Sequence, residues 1–217
     1  MYRGIRSVVA AAALFAVPIG AAAQPPLPTR WDTGASFGFM WGDGFRQEEL
    51  PHTNDEPSTA FQFDLGRYWT THLKTEFAAI LTSPRDQFVS SPVPGVPGGY
   101  TYGFTVHEAD LTVFSGALAY QFFQNEMAHP FVAAGIQGGY WREHRHRNQE
   151  TVTIDRVNYV VPAIDERSSD FLVRPFLSVG AKSYFNRQTF VRSELTTAVS
   201  SRGFSHASVR LGLGVDF

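Results

Sequence analysis

Apolar and polar residues alternate with a period of two in short blocks along most of this chain. In Ala207–Phe217, Val209, Leu211, Leu213, Val215 and Phe217 hold every second position, and Ser208, Arg210, Gly212, Gly214 and Asp216 lie between them. A strand turns successive side chains to opposite faces, so the block has one apolar face and one small or charged face. Trp31–Trp41 is built the same way, with Trp31, Thr33, Ala35, Phe37, Phe39 and Trp41 opposite Asp32, Gly34, Ser36, Gly38 and Met40. Its two terminal tryptophans stand about 33 Å apart at roughly 3.3 Å per residue. A tilted strand of that length links the two interfaces of a bilayer.

Six more blocks follow this scheme. Ala60–Trp69 sets Phe61, Phe63, Leu65 and Trp69 outward, with Gln62, Asp64, Gly66 and Tyr68 inward. Leu73–Leu81 sets Leu73, Thr75, Phe77, Ala79 and Leu81 opposite Lys74, Glu76 and Ile80. Leu111–Phe123 is apolar on both faces, with Phe114, Leu118, Tyr120 and Phe122 assigned outward. Pro130–Trp141 places Val132, Ala134, Ile136 and Tyr140 against Ala133, Gly135, Gln137 and Gly139. Val173–Phe185 places Leu177, Val179, Ala181 and Phe185 against Arg174, Ser178, Gly180 and Lys182. In Phe190–Ala198, Val191 and Leu195 oppose Arg192, Glu194 and Thr196.

The count is eight, and the connections alternate in length. Thr70–His72, Gln124–His129 and Asn186–Thr189 are short, whereas Gly42–Thr59, Thr82–Asp110 and Arg142–Leu172 are long. Short turns on one side and long loops on the other are the asymmetry of an outer-membrane barrel. The predicted fold is an eight-stranded antiparallel up-and-down transmembrane β-barrel. Tyr100–His107 and Thr151–Val161 also have strand-like composition, so ten strands is the alternative count. Pro84, Pro92, Pro94 and Pro97 are expected to keep the second long loop from extending the sheet as a regular hairpin.

Composition narrows the class further. The aromatic share of 14%, with 19 Phe and 19 Gly, suits a barrel with aromatic girdles. A formal charge of −2 argues against a nucleic-acid partner, which calls for a basic surface. No phosphate loop, zinc-finger spacing or dinucleotide fingerprint is present, and no cofactor is expected. The chain has no cysteine, hence neither a disulfide framework nor a lipoprotein-type acylation site.

The N-terminus reads as an export signal. Arg3 and Arg6 precede an apolar stretch, Ser7–Ile19, which is followed by the small-residue site Ala21-Ala22-Ala23. The expected division is a cleaved signal peptide over 1–23, a Pro-rich leader over 24–30 and a barrel domain over 31–217.

The terminal strand, ending on Phe217 with Val215 and Leu213 in phase, resembles the C-terminal signature of bacterial outer-membrane β-barrels. In that family this strand is read by the barrel-insertion machinery, after periplasmic chaperones have carried the chain. Taken whole, Trp31–Phe217 resembles the small barrels of the OmpA transmembrane domain, OmpX and opacity-protein type. The likeness lies in pattern rather than in a sharp motif. It implies location in the outer membrane of a Gram-negative bacterium, among lipid and lipopolysaccharide. It departs from full-length OmpA in that no peptidoglycan-binding domain is expected after Phe217, so no cell-wall tether is implied.

The charged residues assigned inward carry the functional reading. Asp64, Glu76 and Glu194 are acids, and Lys74, Lys182, Arg192 and Arg210 are bases, with Arg174 nearer the rim. The lumen of an eight-stranded barrel is just wide enough for side chains to fill. Charges there must pair, because an isolated buried ion costs several kcal/mol. The expected result is a polar plug and a structural or surface-interaction role without catalysis. A narrow channel through the same residues is the alternative.

The long loops offer further candidates. Arg142, Arg145, Arg147 and Arg156 are suited to the phosphates of lipopolysaccharide, since guanidinium groups form bidentate phosphate contacts. His144 and His146, with Glu143, form an incomplete metal-ligand set at this spacing, and no metal site is predicted. The acidic loop Gly42–Thr59 and the Pro/Gly/Ser-rich Thr82–Tyr100 could present a surface to an extracellular ligand. A lipid A-modifying enzyme would need a serine beside a histidine near the outer rim. Ser168, Ser169 and Asp170 with His107 and Glu108 are the candidates for that chemistry, and no G-x-S-x-G elbow occurs.

Overall fold

A computed structural model describes residues 31–42, 57–92, 101–122, 128–200 and 203–217, with backbone alone for 85–92 and 101–109. The expected signal peptide (1–23), the leader (24–30) and most of the acidic first loop lie outside the described residues, as do Pro94 and Pro97. The elements are β1 (Trp31–Gly42), β2 (Ser58–Tyr68), β3 (Leu73–Thr82), β4 (Arg85–Pro92), β5 (Thr101–Gln121), β6 (Ala128–Arg147), β7 (Glu150–Ile154), β8 (Val157–Val161), β9 (Ile164–Tyr184), β10 (Thr189–Ser200) and β11 (Gly203–Asp216).

Eight of these close a barrel in the order β1-β2-β3-β5-β6-β9-β10-β11, every pair antiparallel. The closing seam joins β11 to β1, with Asp32 opposite Asp216 and Met40 opposite Ser208. At its end Trp31 and Phe217 exchange backbone hydrogen bonds of 3.0 and 2.9 Å. Closure leaves no edge through the ring itself, so every strand finds its partners within the chain.

The burial pattern is the reverse of a water-soluble protein. Phe63, Phe77, Phe114, Ile136, Val173 and Leu213 point outward and are 58–63% exposed, while Lys74, Lys182, Arg192 and Arg210 are at most 3% exposed. A contiguous apolar belt of this extent is not stable against water, and lipid is the solvent that accepts it. Trp69, Tyr120, Phe122, Phe185 and Phe217 mark the end with short turns. Arg67 lies over the rings of Trp31 and Trp69, 5.4 and 4.4 Å from their centroids, a placement suited to the headgroup level.

The ring has eight strands, not ten. Residues 101–107 are the outer third of β5, paired with β4. Within the third loop, β7 and β8 form a separate hairpin turning through Asp155 and Arg156, both at positive φ (51° and 65°). Two expectations for the loops need correction. Arg142–Leu172 is not all loop: β6 runs on to Arg147 and β9 starts at Ile164, with an unbroken register from Trp141↔Asp170 to Arg147↔Ile164. Above the membrane no lipid demands an apolar face, so the strand continues in polar residues and loses its sequence signature. The second loop does extend the sheet, because β4 pairs with β5. Pro84 precedes β4 and Pro92 ends it, with a register shift between Ser90 and Pro92. Proline is tolerated at strand ends and on an edge strand, and β4 pairs with β5 alone.

Strands β5, β6 and β9 are 20–21 residues long, about twice the 9–11 needed to cross a bilayer. They form a sheet rising beyond one end of the barrel. A second irregularity lies in β11. The register passes from Ala198↔His206 to Val199↔Phe204, leaving Ser205 as the extra residue of a bulge. The bulge turns Ser205 and His206 both inward, and both are buried.

Candidate functional site

The lumen holds the polar chemistry of the molecule, stacked in layers. Nearest the short turns, Asp32 of β1 is fully buried and meets two lysines. Lys74 Nζ of β3 donates to Asp32 Oδ2 at 2.8 Å, and Lys182 Nζ of β9 donates to the same oxygen. Tyr68 Oη also donates to Asp32 Oδ2 (3.2 Å), and Lys182 reaches Asp216 at 3.4 Å. Tyr184 Oη donates to Asp216 Oδ2 at 2.6 Å. Lys182 Nζ lies 3.8 Å from the Phe190 ring centroid, so its ammonium is surrounded by carboxylates and π-faces.

Lys74 also contacts Glu76 Oε2 at 2.6 Å, and so ties this layer to the one above. There Arg192 forms a bidentate pair with Glu76, at 2.8 Å from Nη1 and 2.6 Å from Nη2. The same guanidinium contacts Glu194 at 2.8 Å and Asp64 at 3.5 Å, and stacks 4.7 Å from the Phe131 centroid. Arg210 Nη2 reaches Glu194 at 3.2 Å and Thr196 Oγ1 at 2.7 Å. A void of about 10 Å³ remains among Gln62, Glu76, Phe176, Glu194 and Arg210, space on the order of one water.

All seven charged residues assigned inward from the sequence thus lie in one connected region. Two further acids belong to it, Asp32 and Asp216. Both sat in phase on the polar faces of β1 and β11, and that alternation was the signal for them. Tyr68, Tyr184 and Gln121 complete the layer, with Gln121 Nε2 donating to Tyr68 Oη at 3.1 Å.

Higher in the lumen, Arg174 donates to Ser205 Oγ. Ser205 Oγ lies 3.1 Å from His206 Nδ1, and Gln137 Nε2 lies 3.1 Å from His206 Nε2. Ser205 and His206 are both buried. Met40, Ala60, Ile80, Leu111 and Val113 form a separate apolar cluster with Trp141 and Leu172 packed on it.

The outer-rim candidates are not brought together. Ser168, Ser169 and Asp170 of β9 pair with Glu143, Arg142 and Trp141 of β6. His107 and Glu108 of β5 pair with Arg145 and His144 along the other edge of β6. One whole strand separates the two groups, so they are about 10 Å apart across the sheet. The four arginines are divided as well. Arg142 points outward, exposed, and is bidentate to Asp110 at 3.0 and 2.5 Å. Arg145 donates to Glu143 (2.8 Å), and Arg147 is buried with Nε donating to the Pro162 carbonyl (3.2 Å). Arg156 is exposed in the β7–β8 turn. Leu213, Val215 and Phe217 all lie on the lipid-facing side of β11.

The closed ring, inverted burial and charged lumen define a transmembrane β-barrel. Comparison of the fold adds the class. No family model matches the chain, and no curated protein matches it in sequence. Among solved structures, the chain resembles a major outer membrane protein from Thermus thermophilus (TM-score 0.54, 11% identity, 88% of this chain and 100% of that one). It also resembles the outer membrane protein OprG from Pseudomonas aeruginosa (0.51, 11%, 87% and 97%). Ail, the attachment invasion locus protein of Yersinia pestis, is a third (0.51, 8%, 88% and 100%). At these identities the likeness is one of fold: this chain has the architecture of the small eight-stranded outer-membrane β-barrels.

Proposed function

We propose that this outer-membrane barrel is a non-catalytic, non-conducting protein whose lumen is plugged by its own ion pairs, and that it serves a structural or surface-interaction role. The carrying observation is the Arg192 guanidinium, held at once by Glu76 from the opposite wall and by Glu194 and Asp64. An arginine bound in this way blocks the lumen at mid-height, and opening a water path would require breaking a bidentate buried pair. The separation of the serine and histidine candidates by a whole strand at the outer rim, together with the burial of Ser205 and His206, supports a role without catalysis.

The same reading assigns four further roles. Residues 1–23 direct export and are removed, and Leu213, Val215 and Phe217 form the segment that the insertion machinery reads. The extended strands β5, β6 and β9 carry the surface function above the membrane. Among the four loop arginines, Arg142 and Arg156 are the exposed pair best suited to lipopolysaccharide phosphates. Liposome swelling tests the central point. Proteoliposomes holding the folded barrel should exclude arabinose at the rate of protein-free vesicles, and rapid swelling would reject the plug in favour of a narrow channel.

A further inference from the structure

The polar ends of β6 and β9 carry a constellation that the barrel reading does not use. His144 and His146 are two residues apart on β6, so strand alternation puts both on its outer face. Their ring centroids are 6.0 Å apart. Across the ladder, Asp165 of β9 is paired with His146. Its Oδ1 lies 2.7 Å from His144 Nε2, so it contacts the other histidine of the pair. One ligand atom from each of the three residues fits within a span of 4.8 Å. Asp165 is exposed, His146 is exposed and His144 is half-buried beside an open groove of about 440 Å³ that includes Asp110, Arg142 and Arg167. The carboxyl of Asp165 is held below the ordinary carboxylate value, first by its hydrogen bond to His144 and then by the nearby positive groups.

We infer that His144, His146 and Asp165 form a binding site for a divalent transition-metal ion, of the zinc or copper class, on the extracellular extension of the barrel. Two imidazole nitrogens and one carboxylate oxygen are a donor set for these ions rather than for magnesium or calcium, which take oxygen ligands. Zinc–nitrogen and zinc–oxygen bonds of about 2.0–2.2 Å place adjacent ligand atoms roughly 3–3.5 Å apart. A 4.8 Å span contracts to that by rotation of side chains at the surface, with no backbone change. The metal would replace the His144–Asp165 hydrogen bond, and solvent would supply the remaining coordination positions. Two ligands come from one strand and the third from its neighbour, so a bound ion would clamp β6 to β9 above the membrane. From sequence the site was incomplete, because Asp165 lies 21 residues beyond His144 and only the β6–β9 register brings it near.

The test is isothermal titration of tag-free, detergent-refolded full barrel with zinc chloride, each variant first checked for folding by the cold-versus-boiled gel shift. One zinc per barrel is expected, not displaced by excess magnesium or calcium. His144→Ala, His146→Ala and Asp165→Asn should each weaken binding roughly tenfold or more, since even outer-shell changes cost that much at metal sites. His72→Ala, at the short-turn end of the barrel, should leave binding unchanged. No zinc uptake by the folded protein would overturn the site, and so would uptake that persists in the folded His144→Ala/His146→Ala double variant. Neither result touches the plug, which is read by permeability.

Discussion

Arg192 of β10 and Glu76 of β3 stand on diametrically opposite walls of the barrel, four strands apart in either direction, and clasp across the lumen with two hydrogen bonds of 2.8 and 2.6 Å. Both groups are buried. Removing one member breaks the bidentate pair and leaves the other to its remaining partners, Glu194 and Asp64 for Arg192 and Lys74 for Glu76. Glu76→Ala should cost about 3–5 kcal/mol in reversible urea unfolding from lipid vesicles. Arg192→Ala should cost at least as much, because three carboxylates, Asp64, Glu76 and Glu194, share that one guanidinium. The opposite ranking would place the structural weight on Glu76 rather than on the arginine.

Two of the lumen aspartates, Asp32 and Asp64, should behave differently. Asp32 accepts hydrogen bonds from Lys74, Lys182 and Tyr68, whereas the Asp64 carboxylate meets Arg192 at 3.5 Å. Asp32→Ala removes the carboxylate that two buried ammonium groups share, leaving Lys74 to Glu76 and Lys182 to Asp216, and should cost about 3–5 kcal/mol. Asp64→Ala removes a weaker contact and should cost roughly 1.5–3 kcal/mol, in line with a single hydrogen bond to a charged group. Paired unfolding curves of the two variants check this ordering.

The barrel was legible because the bilayer imposes a strict rule on its strands. Wherever lipid touches one face and the lumen the other, as in Phe61–Asp64 or Val209–Asp216, alternation fixes both strand and facing. The lumen charges followed from the same phase. Asp32 and Asp216 were in phase too, but their significance lies in meeting Lys182, a contact between strands far apart in sequence. Outside the membrane the rule lapses. The strand ends Arg142–Arg147 and Asp165–Asp170 are polar on both faces and read as loop, although their backbones pair without a break. The bulge at Ser205 was hidden for another reason: it depends on the register against β10, which no single strand reveals.

Close packing of the ring gives a backbone test. A Cβ added at Gly38, on the inward face of β1, would lie 1.9 Å from the Val209 carbonyl oxygen of β11. The obstacle is backbone at the closing seam, so no side-chain rotation relieves it. Gly38→Ala should destabilise the barrel by about 1–3 kcal/mol, as overpacking does, and slow its folding into vesicles. Gly203, which has nothing within 4 Å of such a Cβ and sits in the β10–β11 turn at φ 114°, should lose stability through backbone strain alone. Folding yields followed by gel shift distinguish the two.

The lipid face gives a test of depth. Phe63 projects from the middle of β2, opposite Ala35 and Ala79 on the flanking strands. Phe63→Arg puts a guanidinium near the bilayer midplane and should cost about 2–4 kcal/mol. The same substitution at Trp69, beside the short turn, should cost about 0–1 kcal/mol. Equal costs at the two positions would mean that the belt is not centred as described.

The most direct measurement is single-channel conductance of the folded protein in a planar bilayer. A barrel closed by Arg192, Glu76, Glu194 and Arg210 should insert and stay electrically silent. Stable, stepwise conductance from protein that passes the gel-shift test for folding would contradict the plug and make the lumen a pore.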